Sequence, residues 1–188
     1  SVPHPANVPY VGRFAPSPSG LLHQGSLIAA LASYLHACWH RGSWLVRIED
    51  VDTSRCTQAF AQAQLRILHD LKFVFDPAVV WQSERTQAYQ TAFEQLRKLA
   101  LVYPYACNRK DSQPQHDWLR CQERQKSQPI HSWRFKVGHE PIVWQNSDVE
   151  MRETLSATCG DFVIKRMPNE WTYQLAVVLD DAAQNISH

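Results

Sequence analysis

Residues 10–26 constrain this chain more than any other stretch. The apolar run 10–15 reads as a buried strand. Pro16, Pro18 and Gly20 then deny both strand and helix, so the chain must turn. After Gly25 an apolar pattern with helical spacing begins. The result is strand, loop and helix, with His23 and small residues at the helix mouth. Such a mouth offers backbone N–H groups and the positive end of the helix dipole to a phosphate.

The α/β rhythm continues from there. Leu27, Ile28, Leu31, Leu35 and Cys38 are expected on the core face of the first helix, which ends before Gly42. Trp44-Leu45-Val46-Arg47-Ile48 reads as a second buried strand, giving a right-handed parallel βαβ unit. Glu49 to Asp52 follow at the strand edge where open α/β sheets bind ligands. Residues 57–71 form a second helix with Phe60, Gln64, Ile67 and Leu68 on or near one face. Residues 79–81 form a strand, and 82–100 a third helix with Ala88, Tyr89, Ala92, Phe93 and Leu96 along it. The rhythm then stops. Residues 102–160 read as an insert with small strands at 133–137 and 142–144; a strand at 161–165 and a helix at 173–183 follow. The expected fold is α/β: a Rossmann-like parallel sheet carrying a small α+β subdomain. Its divisions are an arm (1–9), the first half of the sheet domain (10–101), the insert (102–160) and a return (161–188).

Composition narrows the class. The formal net charge is +1, so no strong electrostatic footprint for nucleic acid exists. Cys38, Cys56, Cys107, Cys121 and Cys159 are irregularly spaced, which points to a reducing, cytoplasmic setting and not to a disulfide framework. No run of about 18 apolar residues is present, so no membrane span is expected. The first residues lack the basic and apolar regions of a signal peptide.

Individual residues carry two readings each. His23 can donate to a phosphate or merely start a helix; Gly25 leaves room for a nucleotide ring against the backbone. Arg13, inside an apolar strand, must be paired. It clamps a substrate carboxylate with its planar fork, or it pairs with Asp50 or Asp52. Glu49 holds an ammonium group or caps a helix. Asp50, Asp52, Thr53 and Arg55 read as a loop-stabilising network. Cys107 and Cys121, with His116 and Asp117 between, are too far apart to make a convincing structural zinc set. Cys38 and Cys159 read as core. Trp133-Arg134-Phe135-Lys136 and Lys165-Arg166 fit half-buried strands with a basic outer face, which tracks an RNA backbone or is ordinary strand amphipathicity.

Taken together, four blocks resemble class I aminoacyl-tRNA synthetases of the glutamyl group. They are residues 12–26, Arg47-Ile48-Glu49-Asp50-Val51-Asp52-Thr53-Ser54-Arg55, Asp161-Phe162-Val163-Ile164-Lys165-Arg166, and residues 173–181. Gly25-Ser26-Leu27-Ile28-Ala29-Ala30-Leu31 and Leu175-Ala176-Val177-Val178 are similar to the glutamyl-queuosine tRNA(Asp) synthetase family. The resemblance implies activation of glutamate with ATP, accompanied by Mg2+. Transfer to the queuosine base of tRNA(Asp) follows, by a monomer. It also implies residue roles: Arg13, Phe14, Ala15, Pro16, Ser17, Glu49 and Tyr173 on glutamate, and His23, Gly25 and Ser26 on ATP, with His23 and Gly25 catalytic.

Two departures from the family pattern matter. Of its four zinc ligands only Cys107 and Cys121 remain, with Tyr105 at a family cysteine and Asp117 at a family tyrosine, so no zinc is expected. The chain also stops at Asn185-Ile186-Ser187-His188, before the later glutamate-binding arginine and the KMSKS-like loop. The expectation is an incomplete enzyme, weak or inactive alone, with the second half of the nucleotide fold missing. The rivals are a fragment of an ordinary glutamyl-tRNA synthetase and a non-catalytic paralogue that binds RNA or a partner.

Overall fold

A computed structural model describes residues 9–106, 129–146 and 149–188. The elements in chain order begin with β1 (Val11–Phe14), α1 (Gln24–Trp39), β2 (Ser43–Ile48), α2 (Gln58–Asp70) and β3 (Val80–Trp81). A 3-10 turn (Gln82–Arg85) leads into α3 (Thr86–Lys98). Then come β4 (Val102–Tyr105), β5 (Ser132–Phe135), β6 (Ile142–Asn146), β7 (Val149–Glu153) and the single turn α4 (Leu155–Thr158). β8 (Phe162–Arg166), β9 (Glu170–Trp171) and α5 (Tyr173–Ala183) complete the described elements. They form two compact units: Gln90–Gln174, and the residues up to Tyr89 together with Leu175–His188.

The unit holding the signature loop is built on a parallel sheet, order β1-β2-β3, with Phe14 opposite Val46 and Ile48 opposite Trp81. Gly42 is needed where β2 begins: a Cβ there would meet the Tyr10 carbonyl oxygen at 2.4 Å. The core gathers Tyr10, Phe14, Trp44, Val46 and Leu68, with Tyr34, Phe73 and Phe75 against them. α2 starts where the Thr57 hydroxyl accepts from the Phe60 N–H, an N-cap that satisfies an otherwise orphaned donor. It ends with Lys72 at φ 64°, where Phe73 N–H reaches the Leu68 carbonyl and Lys72 N–H that of His69. This is a Schellman ending on a residue other than glycine.

The expected core face of α1 is corrected by the structure. Ile28, Leu31, Leu35 and Cys38 are exposed, as is Trp39 at 84%. The face on the sheet is that of Ala30 and Ala37, fully buried, with Ser33 donating to the Ala30 carbonyl and accepting from Trp44 Nε1. Small side chains let the helix axis approach the sheet closely, and the larger apolar ones turn outward. Cys159 is exposed too, so neither it nor Cys38 is a core residue.

The other unit is antiparallel. Its main sheet runs β4-β5-β8-β9, and β6 pairs with β7 as a separate hairpin. Phe93 stacks edge-on with Trp133 and Trp171, and Lys165 Nζ lies 4.4 Å from the Trp171 ring centre. Because β8 pairs with β5, residues 161–174 group with this sheet. The expected return at 161 thus falls at Leu175, and the expected boundary at 102 lies beyond the division within α3. The arm (1–8) lies outside the described residues.

Candidate functional site

The loop after β1 has little means of pairing with itself, since Pro16 and Pro18 have no N–H. Its carbonyls must find donors elsewhere. Glu49 N–H, just past β2, donates to the Pro16 carbonyl at 3.0 Å, and Thr57 N–H to that of Pro18 at 3.0 Å. The Gln64 carboxamide on α2 donates to the Ser17 and Gly20 carbonyls at 3.1 and 2.7 Å. The loop is thereby tied to the C-terminal edge of the sheet. A cleft of about 520 Å³ opens along it, lined by Phe14, Ala15, Pro16, Ser17, His23 and Ser26 among others.

His23 is the N-cap of α1. Its Nδ1 accepts from the Ser26 N–H at 3.2 Å, so the neutral ring carries its proton on Nε2, which lies 3.1 Å from Ser26 Oγ. The ring is exposed at the mouth of the helix. Gly25 serves that ring: a Cβ at this position would stand 3.1 Å from His23 Cε1 and Nδ1. No acidic residue occupies the first turn to oppose an anion.

A charge cluster lies at the ends of β1 and β2. Arg13 grips Asp181 with two bonds, Nε to Oδ1 at 2.6 Å and Nη2 to Oδ2 at 3.0 Å. Asp181 Oδ1 also accepts from Arg47 Nη2 at 2.7 Å. Arg47 is fully buried; it donates to Gln184 Oε1 at 2.8 Å and, more loosely, to Glu49 Oε1 at 3.5 Å. Burial disfavours the charged Asp181, but bonds from Arg13 and Arg47 outweigh it and hold the carboxyl below its ordinary range. Glu49 goes the other way: it is 6% exposed, and burial raises it despite the neighbouring Arg47 and Arg13.

The expected pairing of Arg13 with Asp50 or Asp52 is therefore corrected. Asp50 accepts the N–H and hydroxyl of Ser83 at 2.9 and 2.7 Å. Asp52 accepts from the Ser54 hydroxyl, the Ser54 N–H and Arg55 Nε, which hold its carboxyl at about 2. Both are loop fasteners. A second buried carboxylate, Asp180, accepts from Gln82 Nε2, Tyr89 Oη and Arg85 Nε and anchors α5.

The structure brings Arg13, Phe14, Ala15, Pro16, Ser17, His23, Gly25, Ser26 and Glu49 into one unit. Tyr173 is exposed at the start of α5 and belongs to the other unit. Cys107, His116, Asp117 and Cys121 lie outside the described residues. Tyr105 is buried in β4 with the Arg134 guanidinium 3.9 Å over its ring centre. Among the described residues no group of three or more His, Cys, Asp or Glu is placed to hold a metal, and no helix is long and apolar enough to cross a membrane. Arg47, Gln64 and Asp181 carried no site role in the sequence; an arginine within an apolar strand and a glutamine on the apolar face of a helix were usable signals for the first two, and Asp181 offered only a polar residue on a helix.

Comparison with known proteins bears on the family and the fold. The family model for class I tRNA synthetases (E and Q), catalytic domain, matches residues 10–113. A glutamyl-Q tRNA(Asp) synthetase of Burkholderia orbicola is 42% identical over 200 residues, covering 97% of this chain and 66% of the relative. One of Aromatoleum aromaticum is 43% identical over 188 residues, covering 95% and 60%. The chain spans a little less than two thirds of the length of these relatives. The solved glutamate-tRNA synthetase of Elizabethkingia anophelis superposes with a TM-score of 0.76 at 23% identity, over 96% of this chain and 43% of that one. That likeness is one of fold.

Proposed function

Because the chain belongs to the class I tRNA synthetases of the E and Q group, sharing their catalytic domain, we propose that it serves the ATP-dependent activation of glutamate. The observation that carries the reading is the convergence of the braced loop, the His23 helix mouth and the Arg13–Glu49 charges at one sheet edge. In this reading a glutamate carboxylate oxygen attacks the ATP α-phosphorus in line. The bond to the bridging oxygen breaks and pyrophosphate leaves, giving the mixed anhydride.

The residues here position and stabilise; none becomes covalently attached. His23 Nε2–H turns from Ser26 Oγ to the α-phosphate as charge grows there. N–H groups of the first turn of α1, which helix geometry leaves without internal acceptors, face the same anion. Arg13 offers its guanidinium to a substrate carboxylate. Glu49, whose charged form burial disfavours, has that form stabilised beside the substrate ammonium. Tyr173 is assigned to glutamate by resemblance alone. Mg2+ would accompany ATP, and the residues described here supply no step through it.

The acceptor we propose is the queuosine base of tRNA(Asp), in keeping with what the relatives at 41–43% identity are called. Radiolabelled glutamate, ATP and tRNA(Asp) with or without queuosine test this. Label is expected only on the queuosine form; equal labelling of both removes the reading. Among the described residues, the phosphate contacts in this scheme come from the α1 mouth. Glutamate-dependent ATP–pyrophosphate exchange by the 188-residue chain assayed by itself is therefore expected to be weak.

A further inference from the structure

Gln64 occupies a helix position that faces the core. It is 2% exposed and sits between Ala61 and Leu68, both fully buried. An aliphatic side chain would be the ordinary occupant. The amide instead gives both of its N–H bonds away, to Ser17 O and Gly20 O. Two acceptors on that side fix which way the amide faces. Its Oε1 is left buried without a donor, which is costly. What the residue gains in exchange is the stitch across the proline-bound loop.

The stitch is placed where backbone donors stop. Glu49 N–H and Thr57 N–H take the Pro16 and Pro18 carbonyls, and Gln64 spans Ser17 and Gly20 around them. Gln64 also lines the cleft that holds Ser17, Ser19, Gly20, His23 and Ser26. The loop leads directly into His23, so its shape sets where the imidazole and the first turn of α1 stand. We propose that Gln64 is a positioning residue for the nucleotide, holding the loop in the shape that presents His23 and the helix mouth to ATP. The inference rests on the nucleotide reading given above, and its test separates the two.

The 188-residue chain is titrated with Mg-ATP and, separately, with glutamate by calorimetry, and backbone hydrogen exchange is followed over 15–22. Gln64→Met keeps the length and removes both donors. Its ATP Kd is expected to rise about tenfold, the scale of two modest hydrogen bonds, with glutamate affinity unchanged. Exchange accelerates in the loop and not in β2. Gln64→Glu keeps one donor while protonated. Relative to the unsubstituted chain at each pH, its ATP affinity lies between the other two in acid. It falls to the Q64M level as pH rises through the new carboxyl's pKa.

A folded Q64M with unchanged ATP affinity overturns the proposal, as does an equal loss of both ligands. If the unsubstituted chain binds no ATP, the nucleotide reading fails and the ligand half of the proposal with it. The exchange data then decide the brace: unchanged loop exchange in Q64M overturns it. Should Q64M not fold, the pH series of Q64E decides, and a flat series overturns the proposal.

Discussion

Asp181→Asn tests the charge cluster at its centre. Asp181 accepts three bonds from two arginines: Arg13 Nε and Arg47 Nη2 on Oδ1, and Arg13 Nη2 on Oδ2. An asparagine keeps one acceptor oxygen, loses the negative charge and turns an NH2 toward Arg13 Nη2. Arg47, fully buried, then keeps a neutral amide oxygen at position 181 and Gln184 as acceptors, with Glu49 at 3.5 Å its remaining carboxylate contact. One lost charge-assisted bond is worth about 1.5–3 kcal/mol. A buried charge robbed of its partner costs about 3–5 kcal/mol. Asp181 is 30% exposed, so water takes back part of that. The expected loss is about 2–3 kcal/mol, read as a lower urea midpoint at pH 7 with unchanged m. The pH dependence has a definite sign. The folded-state carboxyl lies below its unfolded value, so its contribution is complete above the ordinary aspartate range. It fades as pH falls through the lower, folded value. The gap between the two proteins should therefore hold from pH 7 to about 4 and narrow below. A gap under about 0.5 kcal/mol, or one that does not narrow in acid, refutes this account of Asp181.

Three further outcomes are expected. Lys72→Gly relieves a left-handed residue at the end of α2 (φ 64°) and should raise stability by about 0.5–1 kcal/mol in the same urea assay, the strain relief exceeding the entropy a glycine adds. Gly25→Ala should displace the His23 ring, which a Cβ would crowd at 3.1 Å; ATP affinity falls by calorimetry while helix stability does not. Glutamate affinity should climb with pH until Glu49's raised pKa is passed and then level off, because below it the carboxyl must give up a proton to meet an ammonium. Calorimetry in buffers of different ionisation heat should show that proton released, and Glu49→Gln should abolish the slope.

What the sequence disclosed was local. The helix expected at 57–71 is α2, Gln58–Asp70, with the Thr57 hydroxyl as its cap. The helix expected at 173–183 is α5, Tyr173–Ala183. β2 was legible because an apolar run followed Gly42 and ended at Glu49. The face of α1 was not legible in the same way. Apolar periodicity favours large side chains, and Ile28, Leu31 and Leu35 do fall in line; close approach to a sheet favours alanine, and Ala30 and Ala37 won. Pairing between distant strands left no local trace either: β8 joins β5 with a register shift between Trp133 and Arg134, which no spacing rule reveals.

The partner of Arg13 shows why the site needed the fold. A buried arginine demands a carboxylate, and the nearest ones in sequence, Asp50 and Asp52, were the natural candidates. Both are already engaged, Asp50 by Ser83 in the 3-10 turn after β3 and Asp52 by Ser54 and Arg55 of its own loop. Asp181, 168 residues away, arrives because Asp180 pins α5 in place through Gln82, Arg85 and Tyr89. The consequence reaches the chemistry. Asp181 is shared by two guanidinium groups and stays ionised, while Glu49 resists ionisation. When Glu49 is protonated, Arg13 and Arg47 together exceed Asp181 by one positive charge. On the glutamate reading, a substrate carboxylate balances that excess and the substrate ammonium restores the charge of Glu49. An ammonium and one carboxylate, the groups common to every amino acid, complete that balance.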